Sequence, residues 1–530
     1  MEGQAQRSNE HTLGPVDVII VGFGPAGAVA ACWLGHFGIK TLVVEKSPKI
    51  WDIPRAIALD HEIMRVFQNL GLVNEILPYT APFPASEHFG AQGQLIRRID
   101  MVPPPYPQGY TPSLVFTQPA VEAILRSHVA DYIDVTVWLG PEVIGVRQDQ
   151  DEVSLDVRME NGTVATARAH YVIACDGASS PVRQRLGLKL EDLGFDEPWM
   201  VVDLLVHEHA LGKLPKTAVQ YCDPSRPSTF IIGPGNHRRW EIMLLPGEEP
   251  REAEREDNVW RSLSPWLRPS DGSLWRASCY RFHALVAEQW RHGRVFLAGD
   301  AAHQQPPFIG QGMCQGIRDV TNLCWKLKSV LQDGAADALL DTYGEERKGH
   351  VLTLTSRIQA IGHHICIRDP DAARQRDEEL LKRGGGVPPL VTRQEIVPPL
   401  QAGMLASGDD KAKGTLFPQP RILSESGEQL LDELTGYGWG TILDGRRVSS
   451  ADIKESWIKH VTIGGNGLRE RDGVMAGWFD RNECVAAVVR PDHYVFGVGS
   501  DPESIVTLTR EAGHLLSEPR AEPALAAERK

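Results

Sequence analysis

The chain has 530 residues, 42% of them apolar and 23% charged, which is the balance of a water-soluble globular protein of two or three domains. Its net charge of -14 leaves no basic face of the kind that nucleic-acid binding needs. Cysteines 32, 175, 222, 279, 314, 324, 366 and 484 form no CxxC pair and no His/Cys cluster, so neither a metal site nor a dithiol centre is expected.

Met1–Pro15 is polar and lacks the apolar core of a secretory signal, and no later run approaches the roughly 18 apolar residues of a membrane span. Reduced thiols and a cytoplasmic location, without membrane association, are the expectation. From Val16 to Glu45 the pattern reads strand, glycine-rich turn, helix, strand. The turn is Gly22-Phe23-Gly24-Pro25-Ala26-Gly27. In such a turn Gly22 permits the tight bend, Gly24 lets backbone approach a pyrophosphate, and Gly27 lets helix pack on strand. Pro25 suits a first helical turn, whose free amides favour phosphate. The following strand ends in Glu45 and Lys46, and an acid there accepts from ribose hydroxyls, which favours FAD or NAD over NADP.

Strand-like runs follow at 135–139, 143–148, 153–158 and 171–174, read as a meander returning to a buried strand. A second group, at 200–206, 217–221, 229–232 and 239–245, predicts a separate sheet that could serve as a substrate platform. The run 294–298 is again a buried strand. It leads into Gly299-Asp300-Ala301-Ala302-His303, Pro307, Gly310-Gln311-Gly312-Met313 and a long helix through Leu331. Asp300 at a strand end can accept from a ribityl or ribose hydroxyl, and the helix amides can face the pyrimidine end of a flavin. A glycine-rich loop before an ordinary amphipathic helix accounts for the same residues. The stretch 371–420, rich in charge, Gly and Pro, reads as a linker with room for one helix, and 421–516 has α/β character. Residues 517–530 read as a disordered tail, like residues 1–15 at the other end.

GDAAH with GQGM and the Asp319, Asn322, Trp325-Lys326-Leu327 pattern resembles the FAD ribityl motif of the class A flavoprotein aromatic hydroxylases. Cys175-Asp176-Gly177-Ala178 resembles their DG motif, in which Asp176 would contribute to FAD and nicotinamide binding; a plain Asp-Gly turn is the competing explanation. Within that group the chain is most similar to the 3-(3-hydroxyphenyl)propionate hydroxylases. The shared residues include Pro54-Arg55-Ala56-Ile57, Thr117-Gln118-Pro119, Cys222–Pro227, Asp341-Thr342-Tyr343 with Glu346-Arg347, and Val489–Asp492. The resemblance implies that Arg55 contacts the FAD phosphates and that Gln118 lies near the flavin.

It also implies a mixed α/β fold, α+β overall. A Rossmann-like FAD domain of the para-hydroxybenzoate hydroxylase type would span 16–190 and 286–370, with a substrate-side insertion near 81–110. A β-sheet substrate domain at 191–285 and a thioredoxin-like domain at 421–516 would complete the chain. Without a CxxC the last would be structural or oligomer-forming, and a homodimer is an assembly it allows. The implied reaction is reduction of the flavin by transient NADH or NADPH, then reaction with O2 to a C4a-hydroperoxide that hydroxylates a small phenolic acid. A hydroxylase of a larger polycyclic or heteroaromatic substrate, or a flavin-binding protein without oxygenase activity, are the alternatives. For the catalytic base the sequence offers Asp60 and His61, which a solvated helix start explains as well. Tyr221 and Arg239 could orient a phenol or carboxylate, with ordinary sheet packing as the competing explanation.

Overall fold

The computed structural model describes residues 15–393, 397–425, 427–453 and 457–517. Both ends read as disordered, 1–15 and 517–530, lie almost wholly outside the described residues. The chain divides into two compact units, one of residues 1–106, 110–320 and 351–398, the other of 107–109, 321–350 and 399–530. Among the described residues no helix is long and apolar enough to cross a membrane.

The first unit holds two large sheets. Val16–Val21 is an apolar run because it lies between parallel neighbours, Val164–Ala174 on one side and Thr41–Glu45 on the other. Val295–Leu297 extends the parallel set beyond Val164–Ala174, and Val135–Leu139 closes it beyond Thr41–Glu45. Val135–Leu139 is therefore not part of the meander to which its pattern assigned it. The meander consists of Glu142–Gln148, Val153–Arg158 and Val164–Ala174, all antiparallel. Periodicity alone does not tell the edge of a parallel sheet from a hairpin strand.

The second sheet has nine strands. Its order is His303–Gln304, Gly272–Ala287, Leu190–Val206, His237–Met243, Ser228–Ile232, Ala218–Tyr221, Ser86–Phe89, Leu95–Asp100 and Leu390–Thr392. The sheet thus recruits strands from 86–100, and one from inside the stretch read as a linker. That stretch also carries the helix Pro370–Arg383, started by Asp369, whose side chain accepts from Ala372 N. Successive side chains of a strand face opposite ways, and here the two faces bury different cores. Trp199, Val201, Met243 and Phe282 pack with Phe308 and Ile309, the residues after Pro307. Met200, Val202, Phe230, Trp240 and Ile242 pack instead with Val259 and Leu263 of the helix Glu256–Leu263.

The second unit is built on a four-stranded sheet in the order Lys459–Ile463, Gly440–Asp444, Ala486–Val489, Val495–Gly499. The first pair is parallel and the other two are antiparallel. Ile442, Ala487 and Val489 pack on Met475, Trp478 and Phe479 of one helix, while Val488 and Phe496 pack with Trp325 and Ala512. A fully buried charge knot ties its separated segments together. Glu346 pairs with Lys326 at 2.9 Å and Arg490 at 2.7 Å, and Arg490 pairs with Asp492 at 2.6 Å. Asn322 and the Trp325 indole donate to Asp492 at 2.9 and 3.1 Å. Three stretches that carried the family resemblance thus meet in one satisfied polar cluster.

Candidate active site

The Gly22–Gly27 turn assigns each glycine a separate physical task. Gly22 has φ +99°, and an added Cβ would stand 2.4 Å from the Cys175 carbonyl oxygen. A Cβ on Gly27 would stand 2.0 Å from the Gly22 oxygen, so helix and turn can touch only through glycine. Gly24 differs: at φ -69° it has no strained backbone, and a Cβ there would meet nothing within 4 Å. Protein packing therefore does not explain Gly24, whereas close approach of a ligand to the helix start does. Pro25 is the first residue of the helix Pro25–His36, and Ala26 follows it with its side chain near Gly299 and Gly316.

Glu45 closes the neighbouring strand and accepts from Phe23 N and Ser47 N, both at 2.7 Å, which fixes its carboxylate against the turn. Lys46 is exposed. Gln118 is buried, and its Oε1 accepts from Arg55 N at 2.8 Å and Ala56 N at 2.7 Å. From the other side Arg239 donates to the carbonyls of Arg55 and Pro54 at 2.8 and 3.0 Å, and Arg276 also donates to Pro54. The Arg55 backbone is thus held from two directions, while its guanidinium stays exposed beside the Trp51 ring.

Asp176 follows the buried strand Val164–Ala174; its Oδ2 accepts from Val182 N at 3.0 Å, and its Oδ1 is buried without a partner. Arg183 donates to Ala301 O at 2.7 Å and Ala178 O at 2.8 Å, binding the DG and GDAAH stretches together. In GDAAH, Gly299 takes φ +61° with Gly299 N donating to Asp319 at 2.9 Å. His303 bonds the same Asp319 oxygen at 2.8 Å and stacks on Trp290, so it shapes this loop. Asp300 keeps exposed surface although protein crowds it, as expected of a residue lining a deep concavity. That crowding pushes its carboxyl above the usual range, with His303 and Arg55 pulling it back.

Pro307 O accepts from Gly310 N at 2.7 Å, and Gly310, at φ +64°, passes so close to Ala58 that a Cβ would stand 2.8 Å from it. Gly312 then starts the helix Gly312–Gln332, with Met313 next; a Cβ on Gly312 would meet nothing within 4 Å. Gln311 is turned inward, donating to Asp60 at 3.1 Å and accepting from Arg318 at 2.9 Å. Asp60 is 4% exposed and has both oxygens engaged, one capping Ile63 N, the other taking Gln311 and Arg318. Arg318 also pairs with Glu62 at 2.5 Å. Burial raises the Asp60 carboxyl, but Arg318 and His61 overcome it and hold the group below its usual range. Asp60 is therefore a structural anion rather than a free base. His61 is brought low, to about 4, by burial, with Arg318, Arg65 and Arg393 adding to the shift against Asp60. Its imidazole is neutral at pH 7, with a buried Nδ1 that has no partner.

The other two catalytic candidates find different surroundings. Tyr221 sits on the sheet face away from Phe308, stacked near Phe89, with Trp266 donating to its hydroxyl at 3.2 Å. The alternation that made 217–221 legible as a strand leaves open which face is which, and Gln220 is the residue on the Phe308 side. Arg239 is buried in a double hydrogen bond to Asp203, at 2.7 and 3.0 Å, besides holding Pro54 and Arg55. It positions the Arg55 loop. Sequence reasoning missed Asp203, Arg276, Arg318 and Glu241, because charged residues on strands and helices read as solvent-facing until tertiary packing buries them.

The residues present suit FAD. The open Gly24 at a helix start and the exposed Arg55 guanidinium match a pyrophosphate, and the carboxylates of Glu45 and Asp300 match hydroxyls. The unpartnered Asp176 Oδ1 and the open helix start at Gly312 offer further contacts in the same unit.

Residues 15–357 match the FAD binding domain family model, and residues 414–512 match that of the HcaD C-terminal domain. A probable NADH-specific resorcinol 4-hydroxylase of Rhodococcus jostii (strain RHA1) is 36% identical over 512 residues, covering 94% of each chain. A 3-(3-hydroxy-phenyl)propionate/3-hydroxycinnamic acid hydroxylase of Burkholderia cenocepacia (strain HI2424) is 33% identical over 508 residues, 90% of this chain and 93% of that one. In fold, the chain resembles the flavin-dependent monooxygenase PieE, solved with FAD and substrate, at a TM-score of 0.77 and 20% identity over 95% of this chain and 100% of that one. With p-nitrophenol 4-monooxygenase PnpA of Pseudomonas putida DLL-E4 the TM-score is 0.63 at 25% identity, over 70% and 94% of the two chains. With this fold, these glycines and these relatives, the chain belongs to the FAD-binding aromatic hydroxylases, the flavin-dependent monooxygenases of aromatic rings.

Proposed function

We propose that the protein uses NADH to hydroxylate a small phenol, a 3-(3-hydroxyphenyl)propionate-like acid, at the sheet face that carries Trp199, Val201 and Phe282. The observation that carries this reading is the placement of that face against Phe308 and Ile309, within the stretch that joins Asp300 to Gly312. Bound FAD supplies the redox chemistry, taking hydride from the nicotinamide and activating O2 for transfer to the ring. The chain's part is to hold, orient and exclude water. Gly22, Gly24, Pro25, Ala26, Gly27 and Arg55 would hold the pyrophosphate, Glu45 and Asp300 the hydroxyls, and Pro307 and Gly310–Met313 the flavin ring, with Asp176 and Gln118 bordering it. The interlocked aromatic rings of Phe195, Trp199, Phe282 and Phe308 would keep water from the reacting ring.

The acid is supported by the propionate hydroxylase relatives and by Arg97, a half-buried arginine on the sheet with no carboxylate partner among the described residues. Resorcinol is the second reading, supported by the 36% identical relative named for it. That name also supports NADH over NADPH. The domain plan is proposed as read: an FAD domain at 16–190 and 286–370, the sheet domain at 191–285 with its insertion near 81–110, and a thioredoxin-like domain at 421–516. For the last, the support is one parallel pair followed by two antiparallel steps, with helices Val474–Arg481 and Pro502–Ser517. A cytoplasmic location is supported by eight cysteines that form no disulfide among the described residues.

The test is NADH and NADPH oxidation by the yellow protein with each of the two compounds, with product identification. Stimulation by 3-(3-hydroxyphenyl)propionate with a matching amount of dihydroxylated product is expected. Stimulation by resorcinol alone moves the assignment to the second reading, and stimulation by neither refutes both.

A further inference from the structure

One transverse row of the nine-stranded sheet is polar from the Arg97 strand as far as Glu241. Pairing places Arg97 beside His88, His88 beside Gln220, Gln220 beside Thr229, Thr229 beside Glu241, and Glu241 beside Val201. Directly paired residues put their side chains on one face, at about 4.8 Å per strand. Val201 fixes which face this is, because it packs in the cluster that contains Phe308 and Ile309. Two residues before Glu241 on the same strand, Arg239 reaches Pro54 and Arg55 on that same side. The row therefore looks toward the region where the three sequence motifs converge.

Nearly every carboxylate on this side is already spoken for. Asp203 takes His237, Arg239 and Arg276, and Asp60 and Glu62 take Arg318. Thr229 donates to Gln220 at 2.6 Å, and Arg239 is committed to Asp203 and two carbonyls, so neither satisfies Glu241. Glu241 is 3% exposed, and its Oε2 is buried without a hydrogen-bond partner. Leaving a buried carboxyl oxygen unmet is costly and has no local structural return. A partner that arrives with a ligand removes the cost.

We propose that Glu241 Oε2 accepts a hydrogen bond from a ring hydroxyl of the aromatic substrate and so fixes which ring position is presented for hydroxylation. The inference rests on the aromatic-hydroxylase reading of this site and adds the group that recognises the phenol. The ionised Glu241 carboxylate can only accept, so a ring hydroxyl meets it with a donor, whereas a substrate carboxylate would meet it with like charge. Drawing the O–H proton toward Oε2 raises electron density on the phenolic oxygen and on the ortho and para carbons. No bond to carbon changes in this step, and the proton rests between substrate oxygen and Glu241.

The test uses flavin-loaded wild type, Glu241→Gln and Glu241→Leu. Binding is read from the perturbation of flavin absorbance by 3-(3-hydroxyphenyl)propionate and its counterpart 3-phenylpropionate, and by resorcinol and 1,3-dimethoxybenzene. Wild type should prefer each hydroxylated ligand. Both variants should bind it roughly tenfold or more weaker, while holding its counterpart within about twofold, so the preference collapses. A purely structural role would weaken both members of a pair alike, and that result overturns the inference, as does a preference retained in the variants. Wild type that binds none of these ligands overturns the hydroxylase reading and the inference together. Wild type that binds and discriminates while Glu241→Gln does so equally overturns only the role of Glu241.

Discussion

Gly24 and Gly27 lie three residues apart in one turn, yet they predict opposite phenotypes. Gly24→Ala adds a methyl to open space at an ordinary φ, so folding should be untouched while the flavin pyrophosphate loses its approach. FAD affinity should fall about tenfold or more by fluorescence titration, with the melting temperature of the flavin-free protein unchanged. Gly27→Ala forces a Cβ to 2.0 Å from the Gly22 oxygen and should fail in folding first. If both variants lose flavin and stability equally, Gly24 is a packing glycine and the phosphate assignment is wrong. Glu241 makes a second prediction at this scale. Burial pushes its carboxyl up to about 7; Arg239 and Arg276 pull it back and Asp203 pushes it further. The folded state thus keeps a proton that the unfolded chain releases near pH 4.5, and folding stability falls as pH rises from there to about 7. Glu241→Gln removes that loss. It should be more stable than wild type by on the order of 2 kcal/mol at pH 8, and no more stable at pH 4. Equal denaturation curves at pH 8 would contradict an unmet buried carboxyl.

Between elements, buried ion pairs do the joining. Arg318, on the helix Gly312–Gln332, holds Asp60 and Glu62 at the start of the helix His61–Asn69 and steadies Gln311 between them. Arg318→Met leaves two buried carboxylates without their cation and should cost about 3–5 kcal/mol at pH 7. Asp60 has a depressed folded pKa, so its stabilisation is present above the ordinary carboxylate range and is lost as pH falls through the folded value. The deficit of the variant should therefore shrink toward acid pH, as chemical denaturation at pH 7 and pH 4 would show; a deficit independent of pH would mean that packing, not charge, is lost. The same elements show what a sequence makes legible. The strands of the first sheet, except the short Arg291–His292, and those of the second between 200 and 245 announced themselves by apolar runs or alternation, and the glycine turns by spacing. Gly272–Ala287 did not, because Arg276, Ser278 and Tyr280 lie on the site face and break the apolar pattern a half-buried strand would show. Nor could alternation say that Gln220, not Tyr221, faces Phe308. Glu241 in Arg-Arg-Trp-Glu reads as a solvent-facing strand until cross-strand partners bury it.

Across the whole molecule, residues distant in sequence meet through polar partners more than through motif proximity. Gln118 reaches Arg55, Arg183 reaches Ala301, and Arg239 reaches Pro54, each within the first unit. In the second unit Glu346, Arg490 and Lys326 do the same. The family motifs were legible because their glycine, Asp and Arg stand at fixed spacing after strands. The struts were not legible, since they answer only the fold. As an FAD-binding aromatic hydroxylase, this assembly transfers one atom of O2 to an aromatic ring, and NADH is the reductant proposed for it. The most direct measurement is turnover of the flavin-loaded enzyme under 18O2 with 3-(3-hydroxyphenyl)propionate and with resorcinol, followed by mass spectrometry of the product. One 18O per newly hydroxylated ring, at one NADH consumed per product, is the predicted result. NADH oxidation that yields only hydrogen peroxide with every phenol tried, or product oxygen drawn from water, would contradict it.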